Sequence, residues 1–483
     1  MSASDSSKEE MIRRNKNEYG GKYNQLKWLS RERAGRAERE REDLLHWLSG
    51  HIQLGYKNLL HWLSGHIQLG YKNTKLDVTQ LSPGCRICGE GSWSCLFING
   101  KCNCRCFYCP ARQDEVDIPT TNTVSFSKSR DYVDYIERFD FRGVSISGGE
   151  PLLTPERTID FLTAVKERFG ARVHTWLYTN GTLATNEILQ KLQQAGLDEI
   201  RFDIGAAKYH LKKVRLAAGL IRNITIEIPG IPDDFELMKY KLKEMRDAGV
   251  KYLNLHQLRL TPHNFEKLSS KNYTFLHGEK VTVLESELTV LKLMKYNIEQ
   301  KINLPVNYCS FVYKNRFQRA AARRRNALFV KKDYEDITEN GYIRSLFLAG
   351  SSESISRQIR IFQEGGGASN SWFANTGRDR LYFSESLWKL VDFEEFRLHT
   401  AYFEAKILQA ITYRNPFSEI RLNENKSVFV ERIKSGPEID INSHGISLFE
   451  TAVIKKEEIG DSMVKWGEIL NFEFVRQGLQ EYY

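Results

Sequence analysis

Between Ser92 and about Gln257, short apolar runs alternate with longer segments whose apolar positions recur at helical spacing. Trp93–Asn99, Gly143–Ser147, Arg172–Tyr178, Glu199–Ile204, Asn223–Ile228 and Tyr252–Gln257 read as strands, since brief, mostly apolar runs bounded by turn residues suit strands buried on both faces. Ser127–Arg138, Pro155–Phe169, Thr185–Ala195, Ala207–Ala218 and Asp233–Ala248 read as the helices between them. Thr154 before Pro155, and Thr185 before Asn186 and Glu187, are start signals, and Gly219 is a stop. Strands that alternate with helices pair in parallel through right-handed crossovers. Six strands cannot close an eight-stranded barrel, so the pattern predicts an α/β fold, a partial (β/α)6 barrel with its functional groups at the carboxyl ends of the strands.

The flanks follow other patterns. Residues 1–43 are dominated by charge, and the alternating signs of RERAGRAEREREDLL, Arg31–Leu45, predict an exposed helix laced with weak ion pairs. LLHWLSGHIQLGYKN at Leu44–Asn58 recurs unchanged at Leu59–Asn73. Perfect identity of two copies reads as a tandem duplication, because a solenoid needs at least three copies. After the alternating region, 282–302 reads as an amphipathic helix, Leu304–Val312 as strand-like and Arg316–Lys332 as a basic run. Tyr342–Leu348, Val428–Lys434 and Asp440–Phe449 look strand-like. Three regions result: a charged helical extension over 1–80, the barrel with flanking cysteines over 81–315, and the basic segment with an α+β domain over 316–483.

Composition changes this picture little. No run approaches the roughly 20 apolar residues that cross a bilayer, and the amino terminus lacks the apolar stretch of a secretion signal, so the expected location is cytoplasmic, with no membrane partner. The formal net charge of +9 permits an anionic partner such as RNA without requiring one.

Cysteine placement changes it a great deal. Seven of the eight cysteines lie between Cys85 and Cys109, which looks like metal ligation rather than a disulfide scaffold. KCNCRCFYCP, residues 101–110, follows the first strand and sets Cys102, Cys106 and Cys109 at C-x3-C-x2-C spacing. Three thiolates can hold three irons of a cubane and leave the fourth open; a structural zinc knuckle is the alternative. SGGEP, Ser147–Pro151, ends the second strand, where two glycines let the backbone approach a ligand closely and Glu150 offers negative charge. Asn180 closes the third strand and Asp203 the fourth.

Together the cysteine loop and SGGEP resemble the signature of the radical S-adenosylmethionine (SAM) superfamily, over roughly residues 92–260. The longer pattern, with PGCRICG before the barrel, YLNLHQL at strand six and NYCSFVYKNRFQ after it, is similar to an uncharacterised group related to pyruvate formate-lyase activating enzymes. The resemblance implies a [4Fe–4S] cluster on Cys102, Cys106 and Cys109. It also implies SAM bound near Tyr108, Ser147, Gly148, Gly149, Glu150, Asn180 and Asp203, and an electron donor such as flavodoxin or ferredoxin. Cys85, Cys88 and the distant Cys309 are candidates for a second iron–sulfur cluster or a zinc. His256, Gln257 and Arg259, at or after strand six, are candidate catalytic groups. Three readings follow: a radical SAM enzyme acting on a peptide or protein side chain, the same chemistry on RNA gripped by Arg316–Lys332, or a non-catalytic iron–sulfur or zinc protein.

Overall fold

The computed structural model describes residues 3–55, 75–77, 80–113, 118–411, 413–457, 467–476 and 478–483. The second copy of the duplicated segment, with His61 and His66, lies outside the described residues. The chain divides into two compact units, one of residues 5–318 with 477–483, the other of residues 1–4 with 319–476.

In the first unit the strands are β1 (Lys75–Asp77), β2 (Trp93–Asn99), β3 (Thr120–Thr121), β4 (Val124–Ser125), β5 (Gly143–Gly148), β6 (His174–Thr179), β7 (Glu199–Phe202), β8 (Asn223–Pro229), β9 (Tyr252–His256), β10 (Phe275–Leu276), β11 (Thr282–Val283) and β12 (Val306–Cys309). Ten of them form one sheet in the order β1-β12-β9-β8-β7-β6-β5-β2-β3-β4. The six expected strands are its parallel centre, and β12 adds a seventh parallel strand beside β9. Antiparallel pairs, β1 with β12 and β3 with β4, stand at its two edges.

Helices Ser129–Arg138, Pro155–Phe169, Asn186–Gln194, Lys212–Ala217 and Phe235–Asp247 cross between the strands. The fourth is shorter than its sequence pattern, because Lys208 and Tyr209 take positive φ and break the turn. β7 is buried at every position, as expected for a parallel strand covered on both faces.

The structure draws the amino-terminal boundary differently from the sequence. Residues 5–55 cluster with the barrel rather than standing as a separate extension. Helix Arg31–Gly55 lies along helix Leu284–Glu299, joined by Arg41 to Glu287 at 3.4 Å and Glu40 to Lys292 at 2.6 Å. Trp28 stacks on His277 at 3.9 Å, and the Tyr19 hydroxyl donates to the Leu260 carbonyl at 3.0 Å. The carboxyl-terminal tail joins the same unit: Tyr482 and Tyr308 both donate to the buried Glu287 carboxylate at 2.6 Å.

The second unit is α+β. Its antiparallel sheet comprises β13 (Asp336–Ile337), β14 (Ile343–Ala349), β15 (Trp372–Ala374), β16 (Arg380–Phe383), β17 (Arg397–Leu408), β18 (Phe417–Asn423), β19 (Lys426–Lys434) and β20 (Ile439–Ile441). Leu346, Leu348, Leu381, Phe383 and Leu398 project from one sheet face into a core completed by Phe362 and Phe449 of helices Ser352–Glu364 and Ser443–Phe449. The strand expected over Asp440–Phe449 is only β20; Asn442 then caps a helix by accepting from the Gly445 amide at 2.9 Å. The basic run forms helix Arg319–Ala327, and its guanidinium groups are largely used internally. Arg323 donates to the Asn340 carbonyl at 2.8 Å and lies over Tyr342, while Arg324 donates to the Glu339 carbonyl at 3.1 Å.

Candidate functional site at the carboxyl ends of the barrel strands

β2 delivers the chain into the loop carrying Cys102, Cys104, Cys106 and Cys109, and the start of the SGGEP segment clamps the root of that loop. The Gly149 amide donates to the Asn99 carbonyl at 3.0 Å, and the Glu150 amide to the Lys101 carbonyl at 2.7 Å. A Cβ on Gly148 would lie 2.1 Å from the Asn99 oxygen, and one on Gly149 only 1.9 Å from the Lys101 oxygen. Gly148 also holds φ +133°. Both glycines are therefore required by a close approach of the chain to itself, not only to a ligand.

Glu150 sits differently from its expected place. Its carboxylate is fully buried and accepts from the Leu152 amide at 3.0 Å, the Thr179 hydroxyl at 2.7 Å and the Asn180 amide at 2.7 Å. It braces the ends of β5 and β6 against each other and contributes no surface to the cavity. Burial pushes its carboxyl up, and those hydrogen bonds oppose the rise. Asn180, fixed by this brace, donates to Asn103 at 2.7 Å and reaches the Cys102 sulfur at 3.8 Å. Tyr108 donates to Asp203 at 2.8 Å, tying the loop to the end of β7. Burial pushes Asp203 up to about 6, even with that hydrogen bond favouring its charged form.

A cavity of about 430 Å³ opens beside the loop, within the range that holds a drug-sized ligand. Cys102, Cys106, Tyr108 and Cys109 line it together with Ser147, Gly148, Gly149, Asn180 and Asp203, so the expected SAM-site residues, Glu150 excepted, meet at one place. His256, Gln257 and Arg259 line it too. Burial and the Lys314 charge lower His256 to about 3, so its imidazole is neutral at physiological pH. Glu227, Phe311 and Lys314 also line the cavity and escaped the sequence reading. A lone polar residue at alternate spacing on a buried strand was the available signal for Glu227.

The thiols are a poor set without a cation. Burial, with the negative charge of Asp203 and neighbouring sulfurs, pushes Cys106 up to about 12; burial likewise raises Cys104 to about 11, and Cys102 is raised as well. Grouped thiols that resist ionisation are those a metal must deprotonate as it binds. Among the described residues no three His, Cys, Asp or Glu side chains converge on a single ion. A cubane does not ask them to, since each thiolate takes its own iron. Donor chemistry and glycine-lined cradle thus fit an iron–sulfur cluster with a ligand alongside. The Cys104 thiol donates to the Ala206 carbonyl at 3.8 Å, and Cys104 lines the cavity as well.

Cys85 and Cys88 lie on helix Pro83–Gly89. The Cys85 sulfur accepts from Asn307 at 3.9 Å, the Cys88 sulfur accepts from Gln318, and Cys309 lines the cavity. Cys95 lines the cavity from β2.

Fold and site together define a parallel barrel that offers a thiol loop and a polar cavity at the carboxyl ends of its strands. The family model described as the Radical SAM superfamily matches residues 96–215. A protein of Methanocaldococcus jannaschii, provisionally named a glycyl-radical enzyme activating enzyme, is 31% identical over 298 residues, 59% of this chain and 78% of that one. The chain belongs to the radical SAM superfamily, whose members are enzymes that use a [4Fe–4S] cluster and SAM. The GTP 3′,8-cyclase of Limosilactobacillus fermentum is 27% identical over 39% of this chain and 52% of its own length. Streptococcus suis SuiB, solved bound to precursor peptide SuiA, aligns at 12% identity with a TM-score of 0.35, over 45% of this chain and 49% of that one. The chain thus spans about half the length of these last two proteins. Among the described residues no helix is long and apolar enough to cross a membrane.

Proposed function

We propose that Cys102, Cys106 and Cys109 hold the catalytic cluster and that the enzyme acts on a peptide or protein side chain. The observation that carries this reading is the clamped loop: Gly148, Gly149 and Asn180 fix the cysteine loop at the mouth of a cavity with a polar wall of its own. The protein substrate is supported by the Methanocaldococcus relative, whose name makes an enzyme its object. Ser147, Gly148, Gly149, Asn180, Asp203 and Tyr108 form the SAM side of the cavity, and Glu150 acts through Asn180. When bound, the reduced cluster and SAM supply a 5′-deoxyadenosyl radical for hydrogen abstraction. A one-electron donor of the flavodoxin or ferredoxin kind provides the reducing equivalent.

The chain's own residues position and protect. Trp93, Phe97 and Phe311 give the cavity apolar walls. Asp203 accepts a hydrogen bond from the Tyr108 hydroxyl at 2.8 Å and keeps the loop registered on β7. Transfer of deuterium from side-chain-labelled candidate peptides into 5′-deoxyadenosine tests the substrate class. Transfer is expected from a peptide, and transfer exclusively from RNA would reject the reading.

A further inference from the structure

Three donors that line the cavity make no hydrogen bond to an acceptor among the described residues. Arg259, just beyond β9, makes no side-chain hydrogen bond or ion pair with any described residue; its guanidinium lies 5.4 Å from the Phe311 ring. Lys314, on the helical turn Tyr313–Gln318, makes none with described residues either. Gln257 is only 3% exposed, and its amide nitrogen has no partner. The nearby carboxylates are already engaged: Glu227 accepts from Arg201 at 3.0 Å and from Asn254, and Asp203 accepts from Tyr108. Leaving the buried Gln257 amide donor unmatched is costly, and the half-exposed Arg259 and Lys314 stand beside it on the cavity lining with hydrogen-bonding capacity to spare for a ligand. A planar guanidinium fork, a mobile ammonium and an amide N–H together match an oxyanion.

We infer that Arg259, Lys314 and Gln257 form a receptor for a carboxylate or phosphate carried by the molecule that enters the cavity. The inference deepens the proposed function and rests on it for the identity of that molecule. The same chemistry has two sources, an anionic group on the substrate or the carboxylate of SAM.

Acetylation of Lys314 by an N-hydroxysuccinimide ester, followed by peptide mass spectrometry on the anaerobically reconstituted protein, separates them. Exposed Lys208 serves as the internal reference. Inorganic phosphate or acetate at about twice its Kd should slow Lys314 acetylation about threefold by mass action. Arg259→Gln and Gln257→Leu should weaken that shielding while Lys208 labelling stays constant. Shielding by SAM but not by decarboxylated SAM assigns the receptor to the SAM carboxylate; shielding by the simple anions without that difference assigns it to the substrate. If neither phosphate, acetate nor SAM shields Lys314 in the unsubstituted protein, or if shielding by SAM needs no carboxylate and the simple anions give none, the inference is overturned. The labelling requires no SAM cleavage, so it and the radical reading can fail separately.

Discussion

The two ends of the barrel treat buried charge in opposite ways. From the amino ends of the strands, where it donates to Glu199 at 2.8 Å and Ser82 at 3.2 Å, the almost fully buried Arg201 reaches Glu227 at 3.0 Å and Tyr178 at 3.3 Å on the cavity wall and is fully answered. Glu199 in turn accepts from the Gly84 amide, His174 and Thr225, which seats helix Pro83–Gly89 on that end. At the carboxyl ends the thiols are pushed toward protonation, and Arg259, Lys314 and Gln257 lack acceptors. One network is complete in the protein alone and specifies the fold. The other is complete only with a ligand, and that incompleteness marks the place of chemistry.

The largest contrast comes from breaking one group at each end. Cys106→Ala should abolish iron retention and SAM cleavage while leaving the melting of the metal-free protein nearly unchanged, as read by iron analysis and circular dichroism. Arg201→Leu strands two buried carboxylates and should lower stability by about 3–5 kcal/mol, as read by denaturant unfolding. Equal loss of stability in both variants would erase the distinction.

A smaller effect is expected at the clamp. Gly149→Ala forces a Cβ against the Lys101 carbonyl, so the loop root must shift, at a cost of about 1–3 kcal/mol. Iron retention should fall while the far barrel end stays intact; unchanged iron affinity would show that the clamp does not position the loop.

The pH dependence should separate the ends by sign. Burial pushes Glu199 up, but Arg201 and His174 outweigh it and hold the carboxyl at about 2. Its stabilisation is therefore present above the unfolded value of about 4.3 and is lost as pH falls toward 2, amounting to about 3 kcal/mol. Asp203 is raised to about 6, so the folded state holds its proton more tightly, and stability falls as pH rises from about 4 to 6, by about 3 kcal/mol. Comparing metal-free protein with Glu199→Gln and Asp203→Asn across that range reads the two terms. Identical slopes in the two variants would contradict the assignment.

Much of this was legible in the sequence. Helix Pro155–Phe169 and the six strands follow from apolar spacing, because a parallel strand covered on both faces cannot hide its composition. The cysteine loop and the two glycines were legible because their spacing is chemically restrictive. The role of Glu150 was not, since a motif does not say which way a side chain turns. Nor were Lys314 and Glu227: single polar residues become a site only when β12 and the turn after it close beside β9, the neighbour of β8. The packing of residues 5–55 on the barrel was hidden by a charged surface that reads as solvent-facing. Asp440–Phe449 misled because an apolar strand ending in Asn442 continues directly into an apolar helix.

The smallest expected effect concerns Cys85, Cys88 and Cys309. With one cluster, on Cys102, Cys106 and Cys109, the reconstituted protein should hold about four irons per chain. Cys88→Ser should leave that count unchanged; about eight irons, halved by the substitution, would place a second cluster there.

Formation of 5′-deoxyadenosine from SAM under anaerobic reduction, compared across alanine variants of Cys102, Cys104, Cys106 and Cys109, tests the central claim most directly. Cleavage is expected from the unsubstituted protein and from Cys104→Ala, and none from the other three. Cleavage that survives in Cys102→Ala, Cys106→Ala or Cys109→Ala, or that never occurs in the iron-loaded protein, would contradict it.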